Sequence, residues 1–196
     1  MENVLTEFST LLNKRLEAGV LTTEDSIRYT FFYALVLKSS TLPNEIILEY
    51  PHPAIPRAVI DTYIPSYQGT SLAIEFKYDR EIPSGREIPK PQNAGELFKD
   101  MDRLARFSPK SYMNRIQIYV ADSLMVTYFN NPENGHEAFF NLRQGSKMTI
   151  EESYLVGKPK TFVNSLMARP SFDILCLWSE KLPRAHELRV FQISPI

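Results

Sequence analysis

Apolar positions along the chain change their period more than once. Between residues 2 and 18, Val4, Phe8, Leu11 and Leu12 recur at helical spacing and Gly19 is a natural stop, which predicts a first amphipathic helix. A second helix follows at once. Thr22 and Thr23 suit its cap, Glu24 and Asp25 suit the positive end of its dipole, and Ile27, Phe31, Ala34 and Leu35 form its buried stripe.

Beyond Pro43 the period falls to two. EIILEY (45–50), RAVIDTYI (57–64) and SLAIEFKY (71–78) are short, β-branched and aromatic, with Pro, Gly and Ser between them, and predict an antiparallel meander. EIPSGREIPKPQN (81–93) reads as a proline-rich surface connection. Helical spacing then returns. Asn93 with Glu96 matches a capping pattern, and Leu97, Met101 and Leu104 carry a helix to about Phe107. RIQIYVA (115–121) is a fourth strand, followed by a short helix from Asp122 to Phe129. Strand, helix and strand in that order favour a parallel crossover. After NNPENGH, FFNL can be read as a strand, TFVNSLMA as a short helix, and FDILCLW and ELRVFQI as further strands.

One strand carries charges that burial does not explain. In SLAIEFKY, Leu72, Ile74 and Phe76 face one way, while Ala73, Glu75 and Lys77 face the other. In VIDTYI, Val59, Asp61 and Tyr63 oppose Ile60, Thr62 and Ile64. A turn over Pro65 to Thr70 would pair these strands and bring Asp61 toward Glu75, with roughly 4.5 to 5.5 Å between directly opposed Cβ atoms. Two carboxylates that close repel unless a cation lies between them. An all-oxygen pair suits Mg²⁺, whose coordination a substrate phosphate can complete. A neighbouring lysine would position or deprotonate an attacking water and balance charge developing on phosphate. That combination is phosphodiester hydrolysis.

An acidic residue on one strand, Glu75-Phe76-Lys77 on the next, a preceding helix with Glu24 and a following one with Gln92 resemble the PD-(D/E)xK nuclease superfamily. The resemblance covers roughly residues 20 to 122. It implies an α/β chain with a restriction-endonuclease-like mixed central β-sheet flanked by helices, and Mg²⁺-dependent cleavage of DNA, with Mn²⁺ as a substitute ion. By position it makes Asp61 and Glu75 the metal ligands, assisted by the backbone carbonyl of Phe76, and Lys77 the catalytic lysine. Glu24 and Gln92 would complete the catalytic set. The residue before Asp61 is Ile60, where the family's name implies proline.

Length and composition constrain the rest. A chain of 196 residues is expected to form a single domain, with a nuclease core over about 20–122 and a C-terminal elaboration over 123–196. No apolar run approaches the length of a membrane span, and the N-terminus lacks the apolar block of a signal peptide. The lone Cys176 excludes an intrachain disulfide and a multi-cysteine zinc site, fits a cytoplasmic chain, and is expected to be buried. A formal net charge of −1 offers no global attraction to nucleic acid, so any basic face must be local. Lys99, Arg103, Arg106 and Lys110 recur at helical spacing and form a candidate phosphate-facing stripe. Pairs such as Glu96 with Lys99 and Asp102 with Arg106 would instead make it a solvated face. His52, His136 and His186 lack ligand spacing and are expected at the surface or in loops. Tyr50, Tyr63, Tyr67 and Tyr78 are expected in the core more than on bases.

Two functions from different classes fit these residues. One is a DNA endonuclease, a homodimer by analogy where both strands are cut. The other is a module that keeps the fold, has lost turnover, and binds nucleic acid or a protein partner.

Overall fold

Seven strands form one mixed sheet with helices on both faces. The computed structural model describes residues 1–80, 88–109, 112–167 and 169–196. In chain order the elements are α1 (Glu2–Glu17), α2 (Glu24–Lys38), β1 (Ile47–Pro51), β2 (Val59–Tyr67), β3 (Thr70–Asp79) and α3 (Lys90–Arg106). They continue as β4 (Met113–Ala121), α4 (Ser123–Asn130), α5 (Glu137–Phe140), β5 (Lys147–Ile150), α6 (Lys160–Ser165), β6 (Phe172–Leu182) and β7 (His186–Pro195). The sheet order is β1-β2-β3-β4-β7-β6-β5. Only β3 and β4 run parallel, joined through α3 as the strand, helix, strand order predicts, and the other pairs are antiparallel. β7 pairs with β4 in the middle of the sheet, so residues 123–196 extend the same layer.

α1 and α2 cover one face. Val4, Phe8 and Leu12 pack with Ile27 and Phe31 over Leu72, Ile74 and Phe76 of β3 and Ile116, Ile118 and Val120 of β4. Thr23 caps α2, its Oγ1 accepting from the Ser26 amide, as the sequence suggests. α3 and the short helices α4 to α6 cover the other face, where Leu97, Phe98 and Met101 meet Tyr63, Ala73, Tyr119 and Phe191. α6 approaches α3 at Gly95: a Cβ there would lie 2.6 Å from the Ser165 Cβ and 2.7 Å from the Phe162 carbonyl oxygen. Among the described residues no helix is long and apolar enough to cross a membrane.

Some expectations change. α3 begins at Lys90 with Pro89 as its N-cap and Pro91 in its first turn, so Asn93 lies inside the helix. Proline tolerates the first helical turn because the missing N–H is unpaired there anyway. Residues 81–87 of the expected connection lie outside the described residues. The FFNL stretch is the end of a helical turn. Phe139 and Phe140 are both fully buried, Phe139 against Phe98 (4.6 Å between centroids) and Phe140 against Phe129 (4.9 Å). A strand would send consecutive phenylalanines to opposite faces. β5 is an edge strand that the pattern of residues 147–150 does not announce.

Two histidines are core residues. The His52 ring accepts from the Ala54 and Ile55 amides at Nδ1, so the proton lies on Nε2, which faces the Arg103 carbonyl oxygen at 3.0 Å. His136 is fully buried among Phe98, Tyr128, Phe129 and Phe162, with Nδ1 2.9 Å from the Tyr154 hydroxyl. Tyr63 and Tyr67 are buried and Cys176 is fully so, as expected.

Burial pushes His136 down to about 3 from the ordinary 6.5. A histidine held neutral in the folded state leaves the unfolded chain binding more protons, so its contribution to stability falls as pH drops below 6.5 and is exhausted near 3. Between about pH 7 and about pH 5 this amounts to about 2 kcal/mol. Urea unfolding of the wild type and His136→Gln at both pH values should show that difference in slope. Parallel pH profiles would exclude it.

Candidate functional site

β2 and β3 part company at Asp61. Their ladder pairs Ile64 with Leu72, Tyr63 with Ala73 and Thr62 with Ile74; the next pair in that register would be Asp61 and Glu75, and it does not form. Asp61 instead turns its carboxylate into the gap, where Oδ2 accepts the Phe76 amide at 2.8 Å. The strict alternation expected along β2 breaks here as well, since Ile60 joins Tyr63 and Ala73 in the core beneath α3. On the neighbouring β1, Glu49 has a φ of +50°, a kink that matches the departure.

The edge that β2 leaves open is lined by carboxylates. Glu24, in the first turn of α2, accepts the Tyr78 amide at 3.0 Å through Oε2. The amides of Phe76 and Tyr78 thus point away from β4, and in an extended strand each residue's carbonyl points the same way as its amide. The Phe76 carbonyl therefore faces the same open edge. Glu75 and Lys77 flank Phe76, on the face toward α3.

Arginines meet the carboxylates. Arg28, one turn after Glu24 on α2, places its guanidinium 3.2 Å from both Asp61 Oδ1 and Glu49 Oε1. Arg103 on α3 donates from Nε to Glu75 Oε1 at 2.8 Å, and its Nη2 lies 3.0 Å from Asp100 Oδ1. The Lys77 side chain makes no hydrogen bond or ion pair among the described residues, yet its charge is felt by Glu24, Asp79 and Asp100. An ammonium beside so many carboxylates would ordinarily be paired.

The local charge is unbalanced. Glu24, Asp61, Glu75 and Asp100 outnumber Arg28, Lys77 and Arg103. Burial raises Glu24, with Asp61 adding to the effect and the Tyr78 amide opposing it. Glu75, only 1% exposed, is held well above the usual carboxylate range by burial, and Arg103 offsets only part of that. Asp100 is pushed up to about 6, again by burial first, with Asp61 and Glu96 adding repulsion. The floor supplies one more oxygen. Gln117, the register neighbour of Glu75 on β4, is fully buried, and its Oε1 has no hydrogen-bond partner among the described residues.

The sequence-predicted residues are therefore partly assembled. Asp61, Glu75, Lys77 and Glu24 surround one open edge, whereas Gln92 is exposed in the first turn of α3. In the basic stripe, Lys99 bonds to Glu96 and Arg106 to Asp102, the pairing of a solvated helix face, while Arg103 turns inward to Glu75. Lys110 lies outside the described residues. Sequence reasoning missed Arg28, Asp100 and Gln117. The first two had a signal: Arg28 follows Glu24 by four residues, and Gln92, Glu96, Asp100 and Arg103 recur at helical spacing.

The donor set is all oxygen and carries excess negative charge, which fits a hard divalent cation. Against this, Arg28 and Arg103 hold the two expected ligands, and no group of three or more His, Cys, Asp or Glu side chains converges closely enough for a metal among the described residues.

The Asp100 shift has a sign that can be tested. A carboxyl raised in the folded state contributes stability below its ordinary 3.8 and loses it as pH climbs through about 6. Asp100→Asn should therefore unfold about 2 to 3 kcal/mol later than wild type near neutral pH, with the advantage shrinking toward pH 4. Chemical denaturation at several pH values reads this directly. An unchanged or lowered stability at neutral pH would contradict it.

The chain matches no family model, no curated protein and no solved structure.

Proposed function

We propose that the open edge of β3 is the active site of a divalent-cation-dependent DNA endonuclease with a restriction-endonuclease-like core. The observation that carries this reading is Lys77, an ammonium without an ion pair among the described residues, whose charge is felt by Glu24 and Asp100 at the stretch of β3 that β2 does not pair with. The seven-stranded mixed sheet with its β3-α3-β4 crossover is compatible with such a core.

In this reading Asp61, Glu75 and the Phe76 carbonyl would hold Mg²⁺ in place of the contacts that Arg28 and Arg103 make with the two carboxylates. A bound ion would supply positive charge toward the phosphate and would make a water more acidic. Lys77 orients the attacking water and holds positive charge next to the phosphate oxygens as one P–O bond forms and the other breaks. Glu24 shares the edge by accepting the Tyr78 amide. Burial of Glu75 lowers the local dielectric, so contacts beside it are stronger than they would be in water.

One observation favours the second reading, a nuclease-fold module without turnover. Both expected ligands already have cationic partners, Arg28 on Asp61 and Arg103 on Glu75. Such internal counter-ions satisfy the carboxylates without a metal.

Supercoiled plasmid incubated with Mg²⁺ or Mn²⁺ separates the two. The nuclease reading expects nicking or linearisation that EDTA abolishes and that falls by about 10²- to 10⁴-fold in Lys77→Ala. It also expects a rise in melting temperature with Mg²⁺ that Asp61→Asn diminishes. Full activity in Lys77→Ala or Asp61→Asn would refute the assignment. A wild-type protein with neither cleavage nor a melting response would leave the inactive module.

A further inference from the structure

Beside the open edge lies a cavity of about 330 Å³, enclosed by the α1–α2 turn, the end of β3, the start of α4 and the β6–β7 turn. Arg80 and Arg184 enter it from two of these elements, with Tyr78, Ser123 and His186 completing the wall. We propose that this cavity binds a phosphate group of the DNA strand on which the carboxylate site acts, and that Arg80 and Arg184 are its ligands. The proposal rests on the nuclease reading for the identity of the strand.

The two guanidiniums are little used among the described residues. Arg80 is half-buried and gives one Nη1 hydrogen to the Thr22 carbonyl at 3.3 Å, and among those residues the Arg184 guanidinium makes no hydrogen bond. Neither has a carboxylate partner among the described residues, unlike Arg28, Arg103, Arg106, Arg169 and Arg189. The acidic group in the wall is already engaged: Asp122 caps α4, with Oδ1 accepting the Met125 amide at 2.8 Å. The Tyr78 hydroxyl is 3.1 Å from His186 Nε2, while Nδ1 faces the carbonyl oxygens of Pro183 and Arg184. Carbonyls only accept, so Nδ1 carries the proton and Tyr78 donates to Nε2. What remains for a ligand is two guanidinium forks and the Ser123 hydroxyl as donors, two positive charges against the single carboxylate of Asp122, whose Oδ1 is taken by the Met125 amide. Planar forks of this kind match phosphate oxygens.

The backbone is arranged around Arg184. Arg184 and Ala185 both have positive φ, +59° and +56°, at a turn where glycine or asparagine would be the easier choice. Across the cavity the Arg184 guanidinium rests against Gly19, which has a φ of +66° and where a Cβ would lie 2.5 Å from Nη2. The position relative to the carboxylates is favourable. Tyr78 lies in the cavity wall on the α1–α2 side of β3 while its amide bonds to Glu24, so the cavity and the carboxylate edge meet at Tyr78, with Lys77 on the opposite face of the strand. A DNA strand presents a phosphate about every 3.4 Å of its axis, so one strand can reach both places a few nucleotides apart.

The test is fluorescence anisotropy of a short labelled DNA in EDTA over a series of salt concentrations. Arg184→Glu should weaken binding by about 10-fold or more, and its salt slope should fall by about 1; the Arg80→Gln, Arg184→Glu double variant should lower the slope by about 2. Arg169→Glu, at an exposed pair with Glu152, should bind as wild type does. The Arg184 side chain is exposed, so Arg184→Glu remains informative if the double variant fails to fold by circular dichroism. Wild-type affinity and slope in Arg184→Glu would overturn the proposal, as would a wild-type protein that does not bind DNA. The Mg²⁺ melting response belongs to Asp61 and Glu75 and should persist in Arg184→Glu. A chain that lacks that response yet loses DNA affinity in Arg184→Glu would refute the metal site alone and retain the phosphate site.

Discussion

An amide that points out of a sheet edge inside a protein must find an acceptor, and at Phe76 and Tyr78 the acceptors are carboxylates from other elements. Those two bonds do the work that a full-length β2 would otherwise do. They tie β2 and the first turn of α2 to β3 where the ladder between the two strands has ended. Had β2 continued its ladder past Thr62, Asp61 would lie directly opposite Glu75 and the Phe76 carbonyl would be consumed in pairing. The departure of one strand therefore creates both the opening and the means of holding it open.

The cost of that arrangement is electrostatic. Glu75 and Asp100 are taken out of water close to Asp61, and two arginines and a lysine compensate only in part. Each unfavourable ionisation is tolerated because the apolar clusters on both faces of the sheet are extensive and fully closed. A sequence selected for stability alone would replace such a buried carboxylate with an apolar residue. The cluster is thus better understood as a feature held in place by the fold than as one holding the fold together.

Much of the framework could be read from residue order, because period and punctuation are local properties. The meander over residues 45–78 and the crossover to β4 follow from β-branched alternation and from a helix between two strands. The placement of Asp61, Glu75 and Lys77 on adjacent strands follows from the same pattern. What could not be read depends on where elements settle against one another. Arg103 belongs by spacing to a basic stripe, and only the packing of α3 onto β3 turns it toward Glu75. Gln117 looks like an ordinary strand residue until β4 lies beside β3. His136 reads as a loop histidine because five aromatic residues that enclose it come from four separate stretches of chain. The turn at Glu137–Phe140 was hidden for a related reason: two adjacent phenylalanines carry no period.

Gly95 connects the scaffold to the charge cluster in a way that neither shows alone. It lies on α3 between Gln92 and Asp100, on the side where α6 presses against the helix, and its missing side chain sets how closely the two can approach. α3 also carries Arg103, whose reach to Glu75 depends on the height of the helix above the sheet. A methyl group at position 95 would wedge α6 away or drive α3 toward β3. In either case a substitution with no charge of its own would be registered as a change in the electrostatics of carboxylates a full turn and more away.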